Sequence, residues 1–284
     1  MVRRIFQGKH AKQVGTLAWL VTCLVVCGKV GVAALGRALR SRVAPKHRIK
    51  RVDRFLSNWK IRVDDWCEEL FLAIVGTRRR VRIALDWTKV RQWNVLVASV
   101  VIGGRGVPFY FACYRDDQLR KSRNAFEEGF LVRLRAMIPK DVEAIIVADR
   151  GFRRVSMARA LKNLGFSFVI RCCGDTWVEA ESYRGPLAEL PLRRGKVKDL
   201  GEASVCKTSP ERVRVVAIWD YGQREPWYLL TNLHDNARRV VKYYGKRFTI
   251  EEVFRDKKST RYGFGLKELL IKDRPDRMDT SYQI

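Results

Sequence analysis

The chain has 284 residues, of which 47% are hydrophobic, and this composition excludes a disordered basic tail. Lysine and arginine number 57 against 30 acidic residues, and the net charge of +27 favours a polyanionic partner, most often nucleic acid. On charge alone, a packing protein or a protein that binds anionic membranes remains open. Seven cysteines, three histidines and no Cys-x-x-Cys pair exclude the usual zinc spacings and favour reduced thiols in a cytoplasmic protein.

The first 62 residues are the most basic part of the chain, with 15 lysines and arginines and a single acid, Asp53. Apolar spacing predicts helices there, over residues 13–27, 30–41, about 49–56 and 63–74. We therefore predict a small basic all-helical domain over residues 1–78 that binds DNA. A helix-turn-helix and a helical bundle with a solvated charged face are both compatible with this pattern.

The apolar run from Val14 to Gly28 follows several basic residues and so resembles a signal peptide or a short membrane span. A spanning helix needs about 20 apolar residues, and this run stops at Lys29. Free cysteines also argue against export. We predict that this run is a core helix and that the protein has no membrane partner.

From Arg80 onward, alternating or continuous apolar runs predict strands. The predicted order is strand-strand-strand-helix-strand-helix-strand, which is the order of a ribonuclease-H-like core in the α/β class. The strands cover residues 81–86, 95–102, 109–114, 144–148 and 166–170, and the helices cover residues 126–138 and 155–163. Residues 174–226 predict a β-rich insertion, and a helix over residues 237–258 completes the core. We predict that residues 79–284 form the catalytic domain.

Asp86 and Asp149 each end an apolar strand of this predicted core. A charged side chain at that position is exposed at the rim of the sheet, where sites are common. A strand-terminal aspartate is more often only a turn or helix cap. Neither aspartate is therefore specific evidence of a site when taken alone.

The last predicted helix has a more specific pattern, in which Tyr244, Arg247, Glu251 and Lys258 lie at offsets of 0, 3, 7 and 14 residues. At about 100° per residue these side chains share an arc of roughly 60°, whereas Glu252 points elsewhere. The alternative is a surface helix with salt bridges. Phosphodiester cleavage by two Mg²⁺ ions needs carboxylates from separate elements, and flanking cations would hold phosphates. Asp86, Asp149 and Glu251 are the candidate carboxylates.

Together these segments resemble bacterial DDE transposases of the insertion-sequence-four family. The resemblance depends on residues 84–88, on residues 147–152 and on the Tyr-x2-Arg-x3-Glu-x6-Lys motif from Tyr244 to Lys258. It extends from about residue 10 to the C-terminus, including two short basic and apolar stretches of the N-terminal region. The separations along the chain also fit a core with a β-rich insertion before its last helix.

The resemblance implies a DNA-cutting and DNA-joining enzyme that excises an element and joins its ends to target DNA. It implies that Asp86, Asp149 and Glu251 ligate two Mg²⁺ ions, with Mn²⁺ able to substitute. The implied partner is double-stranded DNA, bound by a homodimer near the bacterial nucleoid. The implied DNA contacts are Tyr244, Arg247, Lys258 and Trp227.

Trp227 precedes a Leu-Leu-Thr run. In a related transposase a tryptophan in that context holds a flipped base. A core strand tryptophan is an equal alternative.

The chain ends 26 residues after Lys258, whereas family members usually continue through a longer helical region. Two alternatives therefore remain open at this point. One is a truncated, catalytically defective DNA-binding copy that acts as an inhibitor, and the other is a non-enzymatic basic DNA-packing protein. Cleavage of DNA that contains the element ends, in the presence of Mg²⁺, separates the active enzyme from both.

Overall fold

The computed structural model describes residues 1–38, 41–58, 61, 64–120 and 122–259. Ten α-helices lie in this part of the chain. Five of them precede the first strand: α1 Val2–Ile5, α2 Ala11–Cys27, α3 Val32–Ala38, α4 Pro45–Leu56 and α5 Asp64–Val75. The other five are α6 Asp116–Leu119, α7 Arg123–Met137, α8 Val155–Asn163, α9 Ala237–Gly245 and α10 Phe248–Lys258.

The strands of the described residues form a single ten-stranded sheet. They are β1 Arg80–Val90, β2 Trp93–Ile102, β3 Arg105–Arg115, β4 Glu143–Ala148, β5 Ser167–Cys172, β6 Trp177–Ala180, β7 Tyr183–Pro186, β8 Val197–Val205, β9 Glu211–Ile218 and β10 Trp227–Thr231. Their order across the sheet is β3-β2-β1-β4-β5-β10-β9-β8-β6-β7. Strands β1, β4 and β5 are parallel neighbours, and the remaining pairs are antiparallel. The predicted α/β class is confirmed, and the described strands form one large sheet.

Helices cover both faces of the sheet around β1, because its buried side chains alternate between the faces. Ile83 and Leu85 lie in the main apolar core with residues of α5, α7 and α8. Ala84, on the opposite face, lies in a second core with residues of α2, α3, α4 and α10. Helix α9 packs on a third core around β4, β5 and β10. Each side chain of β1 that follows Leu85 therefore faces one of these two groups of helices.

The predicted helical segment 1–78 packs on the sheet through the main core and the second core. Phe71 of α5 contacts Phe109 of β3, with ring centroids 5.0 Å apart, while Val52 and Phe55 of α4 share the second core with β2. The division into two domains at residue 78 stays a prediction. In the described part of the chain no single helix is long and apolar enough to cross a membrane, and α2 and α3, which reach that length together, are bent by 94°.

Two predicted element boundaries are wrong. Strand β1 does not end at Asp86 but continues to Val90, because residues 83–90 remain paired with β2 as a long hairpin. The helix predicted over residues 237–258 is interrupted between Gly245 and Phe248. Amide groups around this break bond to carbonyls three residues earlier, as in Arg247 to Tyr244 at 2.8 Å, so the chain is wound more tightly there than in an α-helix.

Candidate active site

The register of two parallel strands brings Asp86 and Asp149 together. The pairing of β1 with β4 ends at Leu85 opposite Ala148. The next residue in each strand is an aspartate, and neighbouring strands lie about 4.8 Å apart. Strand β4 is buried up to Ala148, and the backbone is still extended at Asp149. The Asp149 side chain therefore lies where the chain leaves the core of the sheet.

Asp86 is a half-buried acid that lies beside other acids. Its side chain is 14% exposed, and one carboxylate oxygen accepts the Trp87 backbone N–H at 2.8 Å. The pKa of Asp86 is raised from 3.8 to about 6, chiefly by burial. The negative charges of Asp149 and Glu251 also raise this pKa, whereas Arg247 and the Trp87 N–H lower it. Asp149 and Glu251 therefore both lie close enough to Asp86 to act on it electrostatically.

Arg247 connects the first and the last of these acids. Its guanidinium group lies 3.3 Å from the Asp86 carboxylate and also pairs with Glu251 one turn later. The arginine side chain is only 5% exposed, whereas that of Glu251 is 50% exposed. Helix α10 reaches Asp86 because Ile250 and Phe254 are buried in the core on that face of β1. Strand alternation places Asp86 on this same face.

Asp149 caps the turn that follows β4. Its carboxylate accepts the Gly151 backbone N–H at 2.8 Å, at the start of a short 3-10 helix over Arg150–Phe152. This is the capping role that a strand-terminal aspartate often has. One oxygen of Asp149 is bound in that way, and the side chain remains half-buried at the sheet rim beside Asp86.

The predicted DNA contacts Tyr244, Arg247 and Trp227 lie close together in an aromatic cluster. The Trp227 ring is 4.8 Å from the Tyr244 ring and 5.7 Å from the Phe248 ring, and Arg247 lies over Phe248 at 4.9 Å. Tyr244 and Arg247 are buried, while Trp227 is half-buried at the start of β10. The side chain of Lys258 lies outside the described residues. The DNA contacts of all four residues stay predictions.

Sequence reasoning missed Glu127, a buried acid of α7 whose side chain is 2% exposed. Its carboxylate accepts a hydrogen bond from the Trp87 indole at 2.8 Å and pairs with Arg123 at 3.1 Å and with Arg154. Trp87 follows Asp86, and Arg154 begins α8 just after the Asp149 turn. A single glutamate thus holds the segments that follow both aspartates. The spacing of Arg123 and Glu127 at i and i+4 was its only sequence signal.

The acids fit divalent metal in their chemistry, since Mg²⁺ prefers carboxylate oxygens and a cation would relieve the raised pKa of Asp86. Their placement fits less closely. Among the described residues no three histidine, cysteine, aspartate or glutamate side chains are arranged to hold one ion. Asp86 and Glu251 instead bind Arg247. Joint binding of an ion by these two acids requires the guanidinium group to withdraw from between them.

One known protein family matches the chain. The family described as the transposase DDE domain matches residues 77–270, which is more than half of the chain and includes Asp86, Asp149 and Glu251. The chain belongs to the transposase DDE domain family. Membership supports a transposase role, and the family implies a nuclease activity.

Similarity to solved structures is weak. Argonaute of Marinitoga piezophila in complex with a 5′-hydroxyl guide RNA is 8% identical, with a TM-score of 0.27 over 75% of this chain and 34% of the Argonaute chain. The same Argonaute with guide RNA and target DNA has 8% identity and a TM-score of 0.26, over 71% and 30% of the two chains. The chain spans about a third of the Argonaute chains, and likeness at this level supports no conclusion. No curated protein sequence matches the chain.

Proposed function

We propose that this transposase cleaves DNA at the ends of a transposable element and transfers the strands to target DNA with Mg²⁺, as in the insertion-sequence-four family. The observation that supports this proposal is the convergence of Asp86, Asp149 and Glu251. Three segments far apart in the chain bring these acids together, and burial, together with the charges of Asp149 and Glu251, raises the pKa of Asp86 to about 6. Strongly perturbed acids of this kind are typical of functional sites.

In this proposal the three carboxylates hold the divalent ions, with Mn²⁺ able to substitute for Mg²⁺. When bound, the ions would activate the attacking water or 3′-hydroxyl and stabilise the leaving oxygen. Asp86 and Asp149 supply fixed oxygens from the paired strands. The half-exposed Glu251 supplies an oxygen from α10, and Arg247, released from the acids, turns to a phosphate of the bound strand.

The proposed partner is double-stranded DNA, bound as element ends and as target by a homodimer. The strong positive charge of residues 1–62 supports binding to DNA phosphates. The exposed side of α4 is one such surface, since Lys46, Lys50 and Arg54 follow one another at four-residue intervals on it. The separate N-terminal DNA-binding domain, the β-rich insertion over residues 174–226 and the DNA contacts of Tyr244, Arg247, Lys258 and Trp227 are parts of the same proposal.

The test is cleavage of a duplex that contains the terminal repeats flanking the coding region. Glu251→Gln should reduce the Mg²⁺-dependent cleavage rate by about a thousandfold or more, because it removes a charged ligand worth several kcal/mol in the transition state. Affinity for the same duplex should stay nearly unchanged. The matched control is Glu252→Gln, which neutralises the adjacent exposed acid and should cleave like the parent. Undiminished nicking by Glu251→Gln would refute the assignment.

A further inference from the structure

Two adjoining cavities lie next to the candidate active site, and the first is partly lined by the residues around Glu127 and the Asp149 turn. The first has a volume of about 650 Å³ and lies between the beginnings of α7 and α8 and the strands β6 and β8. The second has a volume of about 510 Å³ and extends towards β7. Both are lined by Trp177, Cys206 and Lys207, so they form one groove with a shared wall.

The groove lies beside the turn that Asp149 caps. Gly151 lines the first cavity, and its backbone N–H donates to the Asp149 carboxylate at 2.8 Å. A Cβ atom added to Gly151 would lie 2.9 Å from that carboxylate and 4.0 Å from the Arg123 guanidinium group, so glycine keeps this space open. A strand bound at Asp149 would therefore lie next to the groove.

Positive charge predominates along this path. The first cavity is lined by Arg123, Arg153, Arg154 and Lys207, opposed by Glu127 and Asp175. Glu127 is already bound by Arg123 and Arg154. Within the described part of the chain no carboxylate pairs with the exposed Arg153 and Lys207 charges. Arg153 donates one hydrogen bond to the Arg150 carbonyl at 3.4 Å, and the rest of its guanidinium group is available to a ligand, as is the Lys207 ammonium group.

Lys207 is held over the groove by the aromatic side chain beneath it. Its ammonium group lies 3.6 Å from the centre of the Trp177 ring, a cation–π contact. Cys206, the residue before it, has a φ of +75°, and its backbone N–H donates to the Trp177 carbonyl at 3.0 Å. Left-handed backbone at a non-glycine residue costs free energy and is common where a chain approaches a ligand. This conformation fixes Lys207 at the junction of the two cavities.

We infer that this groove binds the phosphate backbone of a DNA strand that leaves the active site past Asp149. The identity of the strand rests on the proposed function, whereas the binding of nucleic acid by the groove does not. Exposed arginine and lysine charges spaced along an elongated groove suit a chain of phosphates. Arg153 lies close to the Asp149 end, and Lys207 lies at the junction with the second cavity.

The first test measures DNA affinity as a function of salt, with the full chain, a duplex of arbitrary sequence and no divalent metal. Each lost phosphate contact should reduce the slope of log affinity against log salt by about 0.9, so Arg153→Ala combined with Lys207→Ala should reduce it by about 2. Arg194→Ala is the matched control. Arg194 lies over the Trp219 ring at 4.5 Å, as Lys207 lies over Trp177, but it lines neither cavity. An unchanged slope in the double variant, or an equal change in the control, would overturn the inference.

The second test uses Cys206 as a reporter inside the groove. DNA should slow alkylation of the Cys206 thiol by a small maleimide, read by mass spectrometry of the labelled peptide, and the double variant should lose this protection. Equal labelling of Cys206 with and without bound DNA would overturn the inference. Protection in a chain that does not cleave would support the groove and reject the proposed function, and cleavage without protection would do the reverse.

Discussion

Asp235, the acid beside the start of β1, and Asp86, the acid near its middle, have pKa shifts of opposite sign. At the start of β1, Arg80 pairs with Asp235 and also with Glu143 at 2.9 Å, and the hydrogen bond from Arg80 lowers the pKa of Asp235. Six residues later, burial and neighbouring acids raise the pKa of Asp86 to about 6, although Arg247 lies beside it. The fold thus stabilises the ionised form of the acid beside the first residue of β1 and destabilises the ionised form of the acid near the middle of β1.

The direction of the pKa shift distinguishes structural ion pairs from a functional site more clearly than the number of acids does. Each acid at the start of β1 is matched with a cation, as expected where the charges serve the fold. At Asp86 the protein keeps acids close together at a cost in folding free energy. Acids held close together in this way are typical of sites whose function needs their combined negative charge.

The largest expected effect comes from Asp86→Asn, which should change activity and stability in opposite directions. Cleavage should fall by about a thousandfold or more, since the proposed function makes Asp86 a metal ligand. Stability without divalent metal should rise by up to about 3 kcal/mol above pH 6, because two pKa units correspond to about that free energy. Cleavage assays and urea unfolding measure the two effects.

The sign of the pH dependence follows from the raised pKa. Between pH 3.8 and about 6 the folded protein binds the Asp86 proton more firmly than the unfolded chain does, so stability falls as the pH rises through this window. Asp86→Asn should remove this part of the decline. A variant that was less stable than the parent at pH 7 would contradict the comparison.

A smaller effect is expected from Glu127→Gln, which keeps the shape of the side chain but removes its charge. The bonds to Trp87 and Arg154 would weaken, and the segments after both aspartates would be held less firmly. Cleavage should fall by about 10–100-fold, and the Mg²⁺ concentration for half-maximal cleavage should rise. The control is Glu128→Gln, at the exposed neighbouring acid of α7; an unshifted Mg²⁺ dependence in Glu127→Gln would assign Glu127 to the fold alone.

The smallest effect is expected from Asp235→Asn at the other end of β1. Loss of the charged bonds to Arg80 and Arg239 should lower the free energy of unfolding by about 1 kcal/mol, because the pair is partly exposed. The loss should be present at neutral pH and should fade as the pH falls below the ordinary aspartate pKa. Cleavage should remain at the parental rate, and a large drop in cleavage would remove the distinction between the two ends.

The positions of Asp86 and Asp149 could be predicted because each depends on local pattern. A run of apolar residues that ends in an acid indicates a strand that leads to that acid. Asp149 does follow the end of β4, whereas Asp86 lies in the middle of β1, and the parallel pairing of these strands places the two acids side by side. The extent of β1 could not be predicted in the same way. Its continuation to Val90 depends on pairing with β2, a partner that the pattern within β1 does not specify.

The surroundings of the acids depend on contacts between distant segments, which residue spacing does not reveal. Glu127 meets its partner Trp87 across 40 residues, and Arg247 meets Asp86 across 161. The interruption of the last helix after Gly245 also escaped the periodicity, because an apolar stripe continues on both sides of it. Packing of Ile250 against β3, at Gly106, decides where α10 lies.

Arg247 is a counterion that is covalently part of the chain, and this affects how other cations can bind Asp86 and Glu251. Its effective concentration at Asp86 and Glu251 is fixed by the fold and does not vary with the ionic content of the cell. The acids can therefore gather during folding without waiting for a dissolved ion. Under the proposed function, an incoming divalent ion would compete with Arg247 for the acids. Its apparent affinity would then reflect the difference between two ion pairings and not the strength of one.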